Sequence, residues 1–377
     1  FDKIAPDALL TFTQFAPVPK SEFEGIDPLQ VQQAPFFQHP IGCGPFMVEE
    51  VNMKNYTILA PFDKYYNGVA DFKIQLLPSA GDSDPNVVTR AKSGNLDYGY
   101  TKMVADVQAL EGTPGITVTP IDVRYTRLFY LNKFDKKDGS PAPLADVRVR
   151  QALRYAIDME TICETLFQGS AVPANALAPD ANLKGGDLND YNYNPEKAKE
   201  LLAEANWDPN TVIKAVYYYT DQATVDLMTA VQAYLADVGI KMEFELVEGD
   251  LATILWTAPA DQTNGPRAVD WDICYAANAA LSLHEYYDRY RTGSPTNSHT
   301  PEDAELNRLI DATNASADVN AQNEAFKELI KYENENLFTM ALYYQPIFLI
   351  TSDKIGDIQK GTPQFCINWD IQNWNVQ

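Results

Sequence analysis

A chain of 377 residues with 45% apolar side chains is long enough for two or three domains with well-formed cores. Its formal net charge of −23, from 52 acidic and 29 basic residues, repels nucleic acid and anionic membrane surfaces, and no basic run offsets it. No uninterrupted apolar run approaches membrane-spanning length.

In chain order, the paired acids Glu49 and Glu50, and Asp82 and Asp84, fall on strand ends and loops and read as solvated charge. The segment from Asp135 to Pro143, rich in Asp, Lys, Gly and Pro, is a surface loop. Asp146 then stands where its carboxylate caps a helix, and Val149, Leu153, Ala156 and Ile157 recur at i, i+4, i+7 and i+8 as one core-facing stripe. Arg148, Gln151 and Arg154 are expected to face outward. Asp158 is placed to cap a second helical turn whose apolar positions are Ile162 and Leu166.

Val212 to Tyr219 reads as a strand, and Asp221 to Val238 as a helix with Leu227, Val231, Tyr234 and Leu235 on its apolar face and Gly239 placed to end it. Ile240, Met242, Phe244 and Leu246 alternate with Lys241, Glu243 and Glu245, which completes a strand, helix, strand unit with a right-handed crossover. Trp271 to Ala277 reads as a buried strand, and Glu302 to Ala312 and Val319 to Leu337 as helices.

Catalytic and metal chemistry find little footing. The three histidines, His39, His284 and His299, fit no zinc-protease pattern, no G-x-S-x-G elbow exists, and Ser282 beside His284 is a chance pair. Two distant carboxylates, as in a glycoside hydrolase, would escape a reading of this kind. Cys43, Cys163, Cys274 and Cys366 lie too far apart for zinc spacing, and the helix and strand patterns around Cys163 and Cys274 favour free buried thiols. No cofactor is expected. The 21 tyrosines include the runs 217–219, 286–287 and 343–344. Most read as half-buried strand residues, although a flat apolar face with a hydroxyl also suits a ligand of mixed character.

Five ordered segments resemble one known family. Residues 142–158 closely resemble the "DVRVRQAL.YAID" signature of the family 5 bacterial solute-binding proteins that serve oligopeptide, dipeptide and nickel ABC transporters. His39 to Phe46 is similar to "HPVGTGPY", with Cys43 where Thr or Asn is usual. Asn194 to Ala205 is similar to "DPEKAKKLLAEAG", Arg90 to Asp97 to "L.SGEID", and Leu342-Tyr343-Tyr344 to the aromatic strand that returns to the first lobe.

The resemblance implies an α/β, two-lobed periplasmic-binding-protein-like fold of type II, with a discontinuous first lobe. Residues 1–122 would form part of the first lobe, 123–347 the second, ligand-binding lobe, and 348–377 the return segment. Two crossings between lobes would make a hinge. Within that assignment any disulfides would pair Cys43 with Cys366 and Cys163 with Cys274. Family members carry a long segment before the region matched by Phe1, and the stretch from Phe1 to Lys20 resembles the middle of a mature protein, so a truncated or processed form with an incomplete first lobe is expected.

The implied function is recognition without chemistry: an extracytoplasmic component of an ABC importer, in the periplasm or as a cell-surface lipoprotein, that binds a small peptide-like solute and passes it to permease subunits. An oligosaccharide or a metal chelate is the alternative solute, with a secreted hydrolase ranked last. Tyr275 and Asn278, after Trp271-Asp272, match ligand-lining positions of the family. Tyr343 and Tyr344 at one crossing, and Tyr125 and Arg127 at the other, complete the candidate site. Peptide binders usually carry "W.ADY" there, whose acid pairs with the peptide's amino group. Here the run is Asn278-Ala279-Ala280-Leu281-Ser282, and an apolar Leu281 cannot hold an ammonium group, which leaves Asp270, Asp272 or Glu285 as substitutes.

Overall fold

The computed structural model describes residues 4–6, 8, 12, 16–52, 54–78, 84, 86–121, 125–178, 187–279, 283–356, 358 and 370–377. The strands are β1 (Phe46–Asn52), β2 (Tyr56–Pro61), β3 (Ile74–Leu76), β4 (Tyr98–Thr101), β5 (Ile116–Ile121), β6 (Tyr125–Leu131), β7 (Val172–Pro173), β8 (Val212–Tyr217), β9 (Lys241–Leu246), β10 (Ile273–Ala279), β11 (Thr339–Tyr344) and β12 (Ile347–Ser352). The helices are α1 (Val87–Lys92), α2 (Val104–Leu110), α3 (Val147–Ala156), α4 (Met159–Thr165), α5 (Pro195–Glu204), α6 (Gln222–Asp237), α7 (Leu251–Trp256), α8 (Ala304–Thr313) and α9 (Val319–Asn336). None of the described helices is long and apolar enough to cross a membrane.

The chain divides into two units, a smaller one of Leu10–Asp122 with Ile347–Gln377 and a larger one of Phe1–Leu9 with Val123–Pro346. In the smaller unit β1, β2 and β3 form one antiparallel sheet, and β12 runs antiparallel between β4 and β5 in another. Val87 and Ala91 of α1, Leu110 of α2 and Ile350 of β12 make its core. The last residues belong here too: the Trp374 ring lies 5.1 Å from that of Tyr98, and Ile355 bridges to Val376.

The larger unit is a six-stranded sheet in the order β7-β11-β6-β10-β8-β9. β8 is parallel to both β9 and β10, whereas β6 is antiparallel to β10 and β11. Helices cover both faces, so the central strands are apolar on both sides rather than alternating with polar residues. Leu128 to Leu131 in β6 shows this: Phe129 and Leu131 enter one core with Leu153, Leu202 and Leu227, while Leu128 and Tyr130 enter the other with Trp271, Phe326 and Leu329.

Local chemistry starts and stops the helices where the side chains allow. The carboxylates of Asp146, Asp158, Asp221, Asp303 and Asp318 accept bonds from the backbone N–H groups of Arg148, Thr161, Thr224, Leu306 and Ala321, at 2.8 to 3.0 Å. Each such cap stabilises its helix by about 1 kcal/mol. After α6, Gly239 (φ +85°) donates to Ala236 O and Ile240 to Leu235 O, the paired bonds of a left-handed helix terminus. β8, α6 and β9 thus form the strand, helix, strand unit with parallel strands.

Arg154 of α3 departs from the helical-wheel reading, and Arg150 is buried with it. Arg154, expected to face outward, is buried, and its guanidinium donates to Tyr191 O at 3.2 Å and Ala174 O at 3.3 Å. Arg150 is buried likewise, donating to Asn336 O, Leu144 O and Ala145 O. The helix is covered on more than one side, and backbone carbonyls of long-range loops take the place of water around both guanidinium groups. Cys163 and Cys274 are free and buried in the cores on opposite faces of the sheet, which keeps them from pairing. Cys43 is free and exposed, and Cys366 lies outside the described residues.

Candidate solute site

β8 and β10 run parallel, so their carboxyl ends lie at one end of the larger unit's sheet, where antiparallel β6 begins and β11 ends alongside them. Ligands of open α/β sheets gather beyond the carboxyl ends of the strands. Four segments therefore converge: the start of β6 at Tyr125 to Arg127, Tyr217 to Tyr219 at the end of β8 and just past it, the end of β10, and Tyr343 to Gln345.

Three of the six sequence candidates meet on one face. Tyr275 and Tyr343 exchange a hydroxyl–hydroxyl hydrogen bond of 2.7 Å, and Arg127 is paired across β11 with Tyr343. A bulge between Ala341 and Tyr343 turns the Tyr343 ring onto this face, where it stacks 4.4 Å from Phe167. The Arg127 guanidinium lies 4.4 Å from the centre of the Tyr219 ring and 6.0 Å from that of Tyr275. Its Nε donates to Gln345 Oε1 at 3.4 Å. A flat cation stacked on phenol rings is worth about 1–2 kcal/mol when desolvated. Burial pushes the Tyr275 and Tyr343 hydroxyls upward, so both stay protonated hydrogen-bonding groups.

The other candidates do not join that cluster. Tyr344 directs its hydroxyl to Ala176 O at 2.7 Å, into the second core, and strand alternation puts Asn278 on the side of Cys274 and Ala276. The backbone of Tyr125 pairs with Ala279 at the same sheet end. Tyr219 and Gln345 were not singled out from the sequence. Their legible signal is position, since each lies one or two residues beyond the end of a strand in this unit.

Two of the three proposed substitutes for a peptide-binding acid are engaged by basic partners. Asp272 is buried and held by Arg267 Nη1 at 2.6 Å and by Lys214 N–H at 2.9 Å, and Asp270 takes Lys214 Nζ at 3.1 Å. Both precede β10: Asp272 lies three and Asp270 five residues before Tyr275, about 10 and 17 Å at strand rise, towards the amino end of the strand. Leu281 and Ser282 lie outside the described residues. Among the described residues no group of three or more His, Cys, Asp or Glu side chains could hold a metal ion.

Comparison with known proteins gives this geometry its context. A Brucella ovis protein named for peptide binding by an ABC transporter is 28% identical over 244 residues, 63% of this chain and 44% of the relative. The oligopeptide-binding protein AppA of Bacillus subtilis is 26% identical over 272 residues, 67% of this chain and 46% of its own length. The matched region thus spans about half the length of these relatives. In structure, the ABC transporter substrate-binding protein CtaP of Listeria monocytogenes superposes with a TM-score of 0.80 at 18% identity, over 99% of this chain and 74% of that one. AppA, solved with a nonapeptide, gives 0.75 at 18% identity over 96% and 72%. These likenesses show the two-lobed peptide-binding-protein fold. The family model described as bacterial extracellular solute-binding proteins, family 5 middle, matches residues 1–300, and the chain belongs to that family.

Proposed function

We propose that this chain is the extracytoplasmic solute-binding component of an ABC importer, taking a small peptide-like solute at the arginine- and tyrosine-lined end of the larger unit's sheet and presenting it to permease subunits. The observation that carries the reading is the buried Arg127 guanidinium stacked on Tyr219 beside the Tyr275–Tyr343 hydroxyl pair, where β8 and β11 end. Buried Arg127, Tyr275 and Tyr343 form a rigid floor, and half-buried Tyr219 supplies the accessible rim. A floor held by its own hydrogen bonds loses little freedom when a solute docks, which favours affinity. The names of the Brucella ovis and Bacillus subtilis relatives support a peptide. The reading assigns no chemical step to the solute.

Calorimetric titration with peptides of two to nine residues tests it. Saturable binding is expected, with Tyr219→Ala weakening affinity roughly tenfold through loss of the stacked ring, and with every peptide recovered intact. Uptake of a nickel–histidine chelate and of no peptide would transfer the site to the chelate. Peptide cleavage abolished by a single carboxylate substitution would replace transport by hydrolysis.

A further inference from the structure

The chain contains two Asn-Gly pairs, Asn67-Gly68 and Asn264-Gly265. In such a pair the glycine amide nitrogen can attack the asparagine side-chain carbonyl, because no Cβ on the glycine shields it. We propose that Asn67 is a site of spontaneous deamidation in the folded protein and that Asn264 is not, because the fold leaves the reacting atoms of the first pair without a hydrogen bond and fastens the attacking nitrogen of the second.

Asn67 and Gly68 are both exposed, in the loop between β2 and β3. Gly68 has φ +98°, a conformation open to glycine that relaxes readily. Among the described residues neither the Asn67 side-chain amide nor the Gly68 N–H makes a hydrogen bond, while Asn67 O accepts a long one of 3.5 Å from Gln372 Nε2. No hydrogen bond among the described residues therefore holds the side chain away from the Gly68 nitrogen, and the neighbour nearest to Gly68 is a side-chain end, Asn373 Oδ1, 3.1 Å from where a Cβ would stand.

Gly265 is buried, and its N–H donates to Asp261 O at 3.2 Å. The winding is tight enough that a Cβ on Gly265 would fall 2.5 Å from that same oxygen. Asp261 Oδ1 holds the amides of Thr263 and Asn264 at 2.8 and 3.2 Å, and Gln262 is pinned by Glu302 N–H and Gly293 N–H, both at 2.8 Å. To attack, the Gly265 nitrogen would give up its proton while facing a carbonyl oxygen, which repels the resulting charge, and the whole turn would have to rewind.

At Asn67 the step balances as follows. The Gly68 nitrogen loses its proton and forms a bond to Asn67 Cγ, the Cγ–Nδ2 bond breaks, and ammonia leaves with that proton. Water then opens the five-membered imide at either carbonyl, giving isoaspartate or aspartate. The net change is amide plus water to carboxylate plus ammonium. The new charge arises beside Gln372, which also bonds the Asp370 carboxylate at 2.6 Å, so modification is expected to loosen the hold of this loop on the 370–374 segment.

The test is peptide mapping by mass spectrometry after timed incubation of the native chain in mildly alkaline buffer, with a parallel sample in denaturant. In native protein the Asn67 peptide is expected to convert on the order of tenfold faster than the Asn264 peptide, a barrier difference of about 1.4 kcal/mol. In denaturant the two rates should converge. Asn67→Gln should remove the native acidic species and leave the Asn264 peptide unchanged. Equal native rates, a faster Asn264, or no native conversion at either site would each overturn the proposal.

Discussion

Glu333 offers the most exacting check on the buried polar chemistry of the larger unit. It sits on the inner face of α9, 3% exposed, and Oε1 accepts the Thr339 N–H at 3.4 Å. Burial pushes its carboxyl up to about 8 from an ordinary value near 4.5, against smaller lowering effects from the Thr339 bond and the Lys133 charge. A group with the higher value in the folded state binds more protons folded than unfolded. Its stabilising contribution is therefore complete below pH 4.5 and is lost as pH rises through 8. One pKa unit is about 1.4 kcal/mol, so the two and a half units from pH 4.5 to 7 amount to about 3 kcal/mol. Glu333→Gln keeps the shape and the acceptor for Thr339 but cannot ionise. Chemical denaturation across this range should show the variant gaining on the wild type as pH rises, then running parallel above pH 8. Lys133 and His299, whose burial lowers their values, act in the opposite sense but are present in both proteins and largely cancel in the difference. A difference that stays flat from pH 4.5 to 8 would mean that the carboxylate is solvated or fully paired in solution, and would refute the reasoning.

Tyr275→Phe and Tyr343→Phe should each lower stability by about 1–2 kcal/mol, since each leaves a buried hydroxyl without its 2.7 Å partner; the double variant should cost clearly less than the sum, as a double-mutant cycle by urea denaturation will show. Arg154→Ala removes the charge that α3 directs at Tyr191 O and Ala174 O and opens a cavity, so a loss of about 3 kcal/mol is expected, visible as a fall in melting temperature. Asp221→Ala should cost about 1 kcal/mol through the lost cap on α6, and Asp221→Asn should recover most of it in the same melts.

The elements governed by local rules were legible in the sequence. The Asp146 and Asp158 caps, the Gly239 terminus and the alternation from Ile240 to Leu246 depend on neighbours within a few residues, and the chain prints those neighbours directly. Family membership was legible too, because the literal string from Asp146 to Asp158 carries more information than its periodicity. What escaped is set by partners far along the chain. Arg154 sits on the polar side of a helical wheel, and nothing nearby announces that carbonyls from Ala174 and Tyr191 will enclose it. In the same way Asp270 and Asp272 read as available acids until Lys214 and Arg267 claim them. Which tyrosines gather was illegible for a third reason. The bulge after Ala341 moves Tyr343 to the face that simple alternation would give its neighbours, and a one-residue irregularity leaves no mark in composition.

The two faces of the six-stranded sheet carry different electrostatic risks, and this separates stability from recognition. One face buries Lys133, Glu333 and His299 among Tyr130, Tyr287 and Tyr290, and these groups couple folding to pH. The proposed solute floor lies on the other face and consists of an arginine, which does not titrate in proteins, and of tyrosines pushed upward by burial. For a solute without a titrating group of its own, affinity should stay constant between about pH 5 and pH 8 while stability changes across the same interval. Calorimetric titration of a peptide blocked at both ends, set beside denaturation curves in identical buffers, makes the comparison. An affinity that shifts in step with stability would place the titrating groups of the second face in the solute's path and move the site away from Arg127, Tyr275 and Tyr343.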